Sequence, residues 1–401
     1  VTIAKKSDRA ATLIRTRDLK MARSAHAFVR GSTAKFYEWL AASEVNSKIP
    51  TGPKIWICGD CHLGNLGPIS DGDGNIEVQI RDLDQTVIGN PAHDIIRLAL
   101  SLATAARSSD LPGVTTARII EQMIEGYQQA LVEPDDDDAA PEPAVVRSVK
   151  RRAMGRGWND LARERLEDER PKIPLGTKFW AIDGNERHAL ESLFREPGIQ
   201  KQILLLDPRN ADRDVSMIDA AYWMKGCSSL GLLRYAVLIS IKGAKGRPNY
   251  ALVDVKEAIA SSATVAPYAR MPRDPATRVV AGACALSPNL GNRTIATRLL
   301  GKSVFIRELA PQDLKIEIEQ FSYSEALKAA YCLANVVGKA HSRQMTRSDR
   351  ATWRQALRLG ETGNLDAPSW LWKSVVELSA VHEAGYLEHC RRFALEASTS
   401  K

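Results

Sequence analysis

The sequence predicts an α+β protein, and three observations lead there. Apolar residues recur at helical spacing over long stretches towards both ends of the chain. Short runs rich in β-branched and aromatic residues (AVLIS, ALVDVK, SVFIREL) cluster between residues 215 and 309. Helices and strands do not alternate regularly, so the βαβ units of a parallel sheet are not expected.

In chain order, residues 8–42 read as helical, with Leu13, Leu19, Phe28, Phe36 and Leu40 among the apolar positions. Residues 54–58 (KIWIC) form a short apolar strand that runs into a Gly-rich loop. Residues 76–80 (IEVQI) alternate as a second strand, after the turn signal DGDGN. Residues 94–106 (DIIRLALSLATAA) and 115–131 are apolar helices. Residues 133–143 (EPDDDDAAPEP) hold three prolines and six acids and read as a solvated linker, with a charged helical stretch over 145–170 after it. AVLIS and ALVDVK flank KGAKGRPN, the pattern of a β-hairpin with a long loop. Residues 303–309 are a further strand, 323–345 an amphipathic helix and 369–397 a final helix. The chain thus divides into a helical part (1–210), a β-rich part (211–315) and closing helices (316–401).

With 401 residues, 44% of them hydrophobic, the chain can bury a large core as one domain or as two to three smaller ones. No run of about 18 uncharged apolar residues exists, so no membrane span is expected. The start, VTIAKKSDRAATLIRTRD, is charged throughout and lacks the apolar core of a signal peptide, and a cytoplasmic protein is expected. The net charge of +7 is spread thinly, with Lys150, Arg151 and Arg152 as its densest run; a solvated helix face explains it better than nucleic-acid binding. Six cysteines make no disulfide framework.

The chemistry concentrates in two loops that follow apolar strands, where Asp60, His62, Asn65, Asp82 and Asp84 crowd together. An Asp followed five residues later by Asn, and by another Asp after the next strand, has a specific use in phosphoryl transfer. Asp60 would orient a hydroxyl and take its proton, while Asn65 and Asp82 would hold Mg²⁺ against nucleotide phosphates. His62 is either a second catalytic group or a partner that fixes the loop, and Asp84 either a further metal ligand or a structural acid. Asp94, opening an apolar helix, reads as a cap. Arg30 would form an ion pair in the core or touch substrate.

GDCHLGN followed by IRDLD resembles the GDxHxxN…DxD signature of aminoglycoside and choline kinase-like phosphotransferases, and GNPAHDIIRLA their stretch in which a structural acid, here Asp94, opens a helix. More widely, the chain resembles a bacterial family called domain of unknown function 2252, through AFVRG, GDCHLGNLG, DLD, HDIIRLALS, GCSSLG, VDVKEA, RVVAG and AHSRQ. The kinase resemblance implies a two-lobed protein-kinase-like fold, ATP and Mg²⁺ as cofactors, and a small-molecule hydroxyl acceptor. Because the catalytic loop comes first, it implies a circular permutation, which close-lying termini make feasible. Gly226, Ser228 and Gly231 would then be the phosphate loop, Lys256 the phosphate-binding lysine, and the backbone at Glu308 and Ala310 the adenine hinge.

Two departures stand out. Cys58 takes the place of the kinase catalytic-loop histidine, and residues 258–307 hold no Glu to orient Lys256, only Asp274. An inactive nucleotide-binding pseudokinase is therefore an alternative, and AMP transfer from ATP, which needs much the same parts, is another. A binuclear metallophosphoesterase using Asp60, His62, Asp82 and His93 is a remoter one, since Leu63 follows His62 where that class has Gly. Lys256 also reads as a snorkelling surface lysine. Cys58 and Cys61 form a CxxC, but the Gly- and Pro-bearing segment after it disfavours the helix a redox motif needs, and half a motif makes no zinc site.

Overall fold

The computed structural model describes residues 6–71, 75–108, 113–132, 143–154, 172–205, 215–227, 229–242, 248–309, 322–358 and 367–398. Where the sequence reads as one helical stretch, three helices form: α1 (Lys6–Met21), α2 (Ala25–Gly31) and α3 (Thr33–Ala42). Ser24 sets the break before α2: its backbone is extended and its hydroxyl accepts the Ala27 N–H at 3.1 Å.

Four short strands follow, β1 (Ile55–Ile57), β2 (Leu66–Ser70), β3 (Ile76–Ile80) and β4 (Val87–Gly89). β1 and β3 are the expected ones. β2 and β4 escape sequence reading because they are short and carry Gly or Pro (LGPIS, VIG), residues that normally mark a strand's end. β2 pairs antiparallel with β3, and β1 with β4. The two apolar helices appear as α4 (Ala92–Ser108) and α5 (Gly113–Val132). α6 (Ala144–Met154) begins the charged stretch, whose remainder, like the acidic linker apart from Pro143, lies outside the described residues.

β5 (Phe179–Trp180), α7 (Gly184–Arg195) and α8 (Pro197–Leu205) are not anticipated from sequence. Yet α7 starts in a capping box, DGNE: Asp183 accepts the Glu186 N–H at 2.8 Å and Glu186 accepts the Asp183 N–H at 2.9 Å. Next come β6 (Val215–Trp223), β7 (Arg234–Lys242), β8 (Pro248–Glu257), α9 (Pro275–Leu286), α10 (Pro288–Gly291), β9 (Thr294–Leu299) and β10 (Lys302–Glu308). α11 (Tyr323–Ser342), α12 (Arg347–Leu357) and α13 (Ser369–Ser398) close the chain. Among the described residues, no helix is long and apolar enough to cross a membrane.

β5 to β10 make one antiparallel sheet in the order β5-β6-β7-β8-β10-β9. The expected hairpin is its centre, with Val237 opposite Val253. The period of two divides its faces. Tyr235, Val237, Ile239, Val253, Val255 and Ile306 pack on α7 through Leu190 and Phe194. The opposite face carries Arg234, Asp254, Lys256, Phe305 and Arg307, neighbours across β7, β8 and β10.

β1–β4 and α3–α6 share a core with α11–α13, including Phe36, Ile57, Ile120, Leu333 and Trp353. So the two ends of the sequence build one body, while Leu13, α7 and α8 join the sheet's core instead. α5 and α11 approach so closely that a Cβ on Gly126 would lie 2.2 Å from the Tyr331 carbonyl oxygen.

Candidate functional site

The loop after β1 is fixed from below before any of its polar groups face the cleft. Gly59 has φ +76°, and a Cβ there would meet the Gln85 carbonyl oxygen at 2.2 Å, so only glycine makes this turn. Asp94 does not cap its own helix, as the sequence suggested. It lies in the first turn of α4 and accepts the Cys58 and Gly59 N–H groups at 2.7 and 2.9 Å. His341 Nε2 is 3.2 Å from the same carboxylate, and its Nδ1 is 2.8 Å from the Tyr127 hydroxyl, which accepts the Trp353 indole N–H at 3.1 Å. This buried chain ties the loop to α4, α5, α11 and α12, and charge-assisted hydrogen bonds of this kind are the strong ones.

Asp60 is held by a residue the sequence reading missed. Arg97, fully buried one turn beyond Asp94, donates from Nε to Asp60 Oδ1 at 2.9 Å and from Nη2 to the Val29 carbonyl. The i, i+3 spacing of Asp94 and Arg97 on one face of an apolar helix was the available signal. Burial raises the Asp60 carboxyl, against the opposing charge of Arg97. His62 Nε2 lies 3.9 Å from Asp60 Oδ2. Burial, then the charges of Arg30 and Arg97, push His62 well below the usual histidine range, so it is neutral. Asn65 donates its amide N–H to the Asp60 carbonyl at 2.9 Å, which leaves its amide oxygen for the cleft.

Asp82 and Asp84 follow β3. Lys256, only 3% exposed, reaches across from β8 to pair with Asp84, and its Nζ is 3.6 Å from Asp82 Oδ1. This buried pairing replaces the snorkelling reading. Burial opposes ionisation of Asp82, but Lys256, Arg234 and Arg307 together hold its carboxyl well below the usual range. Burial and the Asp82 charge push Asp84 up to about 6. Asp84 Oδ1 is buried without a hydrogen-bond partner. Two crowded carboxylates, one with an orphaned oxygen, beside an amide oxygen are a donor set that suits a hard cation. Among the described residues, no group of three or more His, Cys, Asp and Glu side chains is arranged to hold a metal. His93, invoked for a two-metal site, instead packs edge-on against Tyr37, with ring centroids 6.2 Å apart.

The sheet closes the cleft. Arg234 grips Asp254 with two hydrogen bonds, and Arg307 pairs with Asp254 at 3.6 Å while donating to the Arg81 carbonyl at 3.0 Å. Only the strand pairing reveals these three as neighbours of Lys256, although Asp254 and Lys256 share a face by spacing alone. Glu257 points the other way, accepting from Lys302 and the Leu233 N–H, both at 2.8 Å. α9 supplies no acid. Its Arg278 donates to the carbonyls of Thr86, Asp84 and Ile259 and so fixes the backbone of the Asp82–Asp84 loop.

Asp60, His62, Asn65, Asp82, Asp84, Gly226 and Lys256 all line this one cleft. Gly226 and Gly231 both adopt left-handed backbone, φ +98° and +105°, but Gly231 and Glu308 are not part of the cleft's lining. Ser228 and Ala310 lie outside the described residues. Cys58 and Cys61 are fully buried free thiols. Their mutual hydrogen bond, together with burial, pushes the Cys58 thiol well above its usual range, so no reactive thiolate forms.

Fold and site together define an α+β protein with a densely charged cleft between a helical body and an antiparallel sheet. The chain belongs to the family described as "Uncharacterized protein conserved in bacteria (DUF2252)", whose family model matches residues 9–392. Comparison with curated proteins and with solved structures finds no match.

Proposed function

We propose that this protein is an ATP- and Mg²⁺-dependent phosphotransferase acting on a small hydroxyl compound. One observation carries the reading: Asp60, Asn65 and Asp82 share one cleft with Lys256, which lies far downstream in the chain, with Lys256 Nζ 3.6 Å from Asp82. The order of parts in the sheet supports it. A left-handed glycine loop joins β6 to β7, the lysine sits on the next strand β8, and a helix, α9, follows. We read this order as the kinase succession of Gly-rich loop, lysine and helix, which would follow the catalytic loop in a permuted two-lobed fold.

Asp82, Asp84 and the Asn65 amide oxygen would hold Mg²⁺, whose chemistry is to neutralise charge on the transferring phosphoryl group. Lys256 would turn from Asp84 to the nucleotide phosphates. Asp60, steadied by Arg97, would orient the acceptor hydroxyl and take its proton as the new O–P bond forms and the bond from the γ-phosphorus to the β,γ-bridging oxygen breaks, with ADP as the leaving group. AMP transfer from ATP would use the same parts.

The decisive experiment is thermal stabilisation by ATP with and without Mg²⁺, for wild type, Asp82→Ala and Lys256→Ala. A Mg²⁺-dependent shift weakened in both variants is expected; at a ligand concentration of 100 Kd it corresponds to about 2.7 kcal/mol. No shift in wild type ends the nucleotide reading. One observation favours a binding-only relative: α9 offers Arg278 rather than an acid, and Lys256 pairs with Asp84. Phosphate or AMP found on an acceptor excludes it.

A further inference from the structure

The cleft's two ends differ in how their cations are satisfied. Around Asp82, Lys256, Arg234 and Arg307 all pair with carboxylates. Around Asp60, Arg97 pairs with the carboxylate but Arg30 does not. Among the described residues lining the cleft, Arg30 is the one cation with no hydrogen bond or ion pair, although its Nε is buried. The ion pair foreseen for it does not form. Its guanidinium instead lies over Gly64 in the Asp60–Asn65 loop, 3.0 Å from where a Cβ would be. His62 Nδ1 and Arg97 Nη1, on residues 4% and 0% exposed, are buried without partners as well, as is His26 Nδ1. Buried polar nitrogens are nearly always paired, so the orphans on His62 and Arg97, the two side chains at the Asp60 carboxylate, mark a place for a polar ligand. The local charge says which kind. Arg30 and Arg97 outweigh Asp60 by one positive charge, and their field, after burial, lowers His26 to about 4, so neither it nor His62 adds to the count.

We propose that Arg30 and His62 form a receptor for an anionic group, phosphate or carboxylate, on the compound whose hydroxyl faces Asp60. This rests on the phosphotransfer reading for the hydroxyl, but not for the anion. It also departs from the kinases the sequence resembles: the positive end disfavours a cationic acceptor such as choline.

The test uses the full chain, unliganded and loaded with Mg²⁺ and a non-hydrolysable ATP analogue. Inorganic phosphate, glycerate, glycerol and choline are titrated by calorimetry into wild type, Arg30→Met and Arg30→Lys. Phosphate or glycerate should bind wild type, at least roughly tenfold more weakly to Arg30→Met and in between to Arg30→Lys, with no binding of glycerol or choline. Phosphate alone assigns a phosphomonoester, glycerate alone a hydroxy acid. Equal anion binding by wild type and Arg30→Met overturns the proposal, as does choline binding as tight as the anions. Loss of nucleotide binding in Arg30→Met overturns it too, by moving Arg30 to the nucleotide. Absence of nucleotide binding in wild type, with the Arg30-dependent anion effect intact, removes the phosphotransfer reading alone. Should Arg30→Met not fold, phenylglyoxal labelling of wild type with peptide mapping decides: phosphate must protect Arg30, and labelling unchanged by phosphate overturns the receptor.

Discussion

At the sheet end of the cleft, three cations share three carboxylates; at the α4 end, two arginines face one. Each end has a buried cation, Lys256 or Arg97, and both are built on rigid elements, yet they hold charge differently. At the sheet end Lys256, Arg234 and Arg307 each have a carboxylate partner, with Lys256 standing where a metal and phosphates would bring matched charges of their own. The α4 end is left positive, with unpaired donors. Where each of these cations has a carboxylate, binding exchanges one partner for another, even though Asp84 Oδ1 and Arg307 Nε are themselves orphaned; where Arg30 has none, binding supplies a partner it lacked. That contrast separates the nucleotide end from the acceptor end without reference to any motif.

The largest expected effect breaks the α4 end. Arg97→Met leaves Asp60 buried without its partner and should cost about 3–5 kcal/mol in urea unfolding. Asp60→Asn should cost a similar amount, and the double variant clearly less than the sum. Additive losses would mean that the pair is not the unit the geometry describes. A middle-sized effect sharpens the sheet end. With Lys256→Met, Asp82 and Asp84 lose their resident cation, so Mg²⁺ alone should bind about tenfold tighter, or 1.4 kcal/mol, by calorimetry. Unchanged Mg²⁺ affinity would show that the two acids are not a cation site.

The smallest effect is in pH. His26 is neutral in the fold, with its value lowered to about 4 by burial and by Arg30 and Arg97. The unfolded chain binds a proton at about 6.5 where the fold does not, so stability falls as pH drops from about 6.5 to 4. His26→Gln should flatten that slope by about 1 kcal/mol per pH unit, and bound phosphate should raise the His26 value seen by NMR.

Much of this was legible in advance. The central hairpin, the apolar helices α4 and α5 and the two loops bearing Asp60 and Asp82 follow from local pattern, because their side chains obey periods of two or 3.6 wherever they fold. Lys256 was legible as well, as the polar end of an apolar strand. Arg97, Arg234, Arg278 and Arg307 were not, since nothing nearby distinguishes a buried arginine from the many solvated ones. Their partners include Asp60, 37 residues from Arg97, Asp254, 20 from Arg234, and the Asp84 and Arg81 carbonyls, 194 from Arg278 and 226 from Arg307. α7 was missed although its DGNE cap was readable, which is a failure of reading rather than of signal.

The sequence by itself determined which residue types stand at which strand ends, and therefore that carboxylates, an amide and a lysine were available for chemistry. Only the tertiary structure decided which of them meet and which arginines go unpaired. Electrostatic satisfaction is a property of distance in space: Asp94 gains His341 from 247 residues away, while Arg30, a short stretch before Asp60, gains no partner among the described residues.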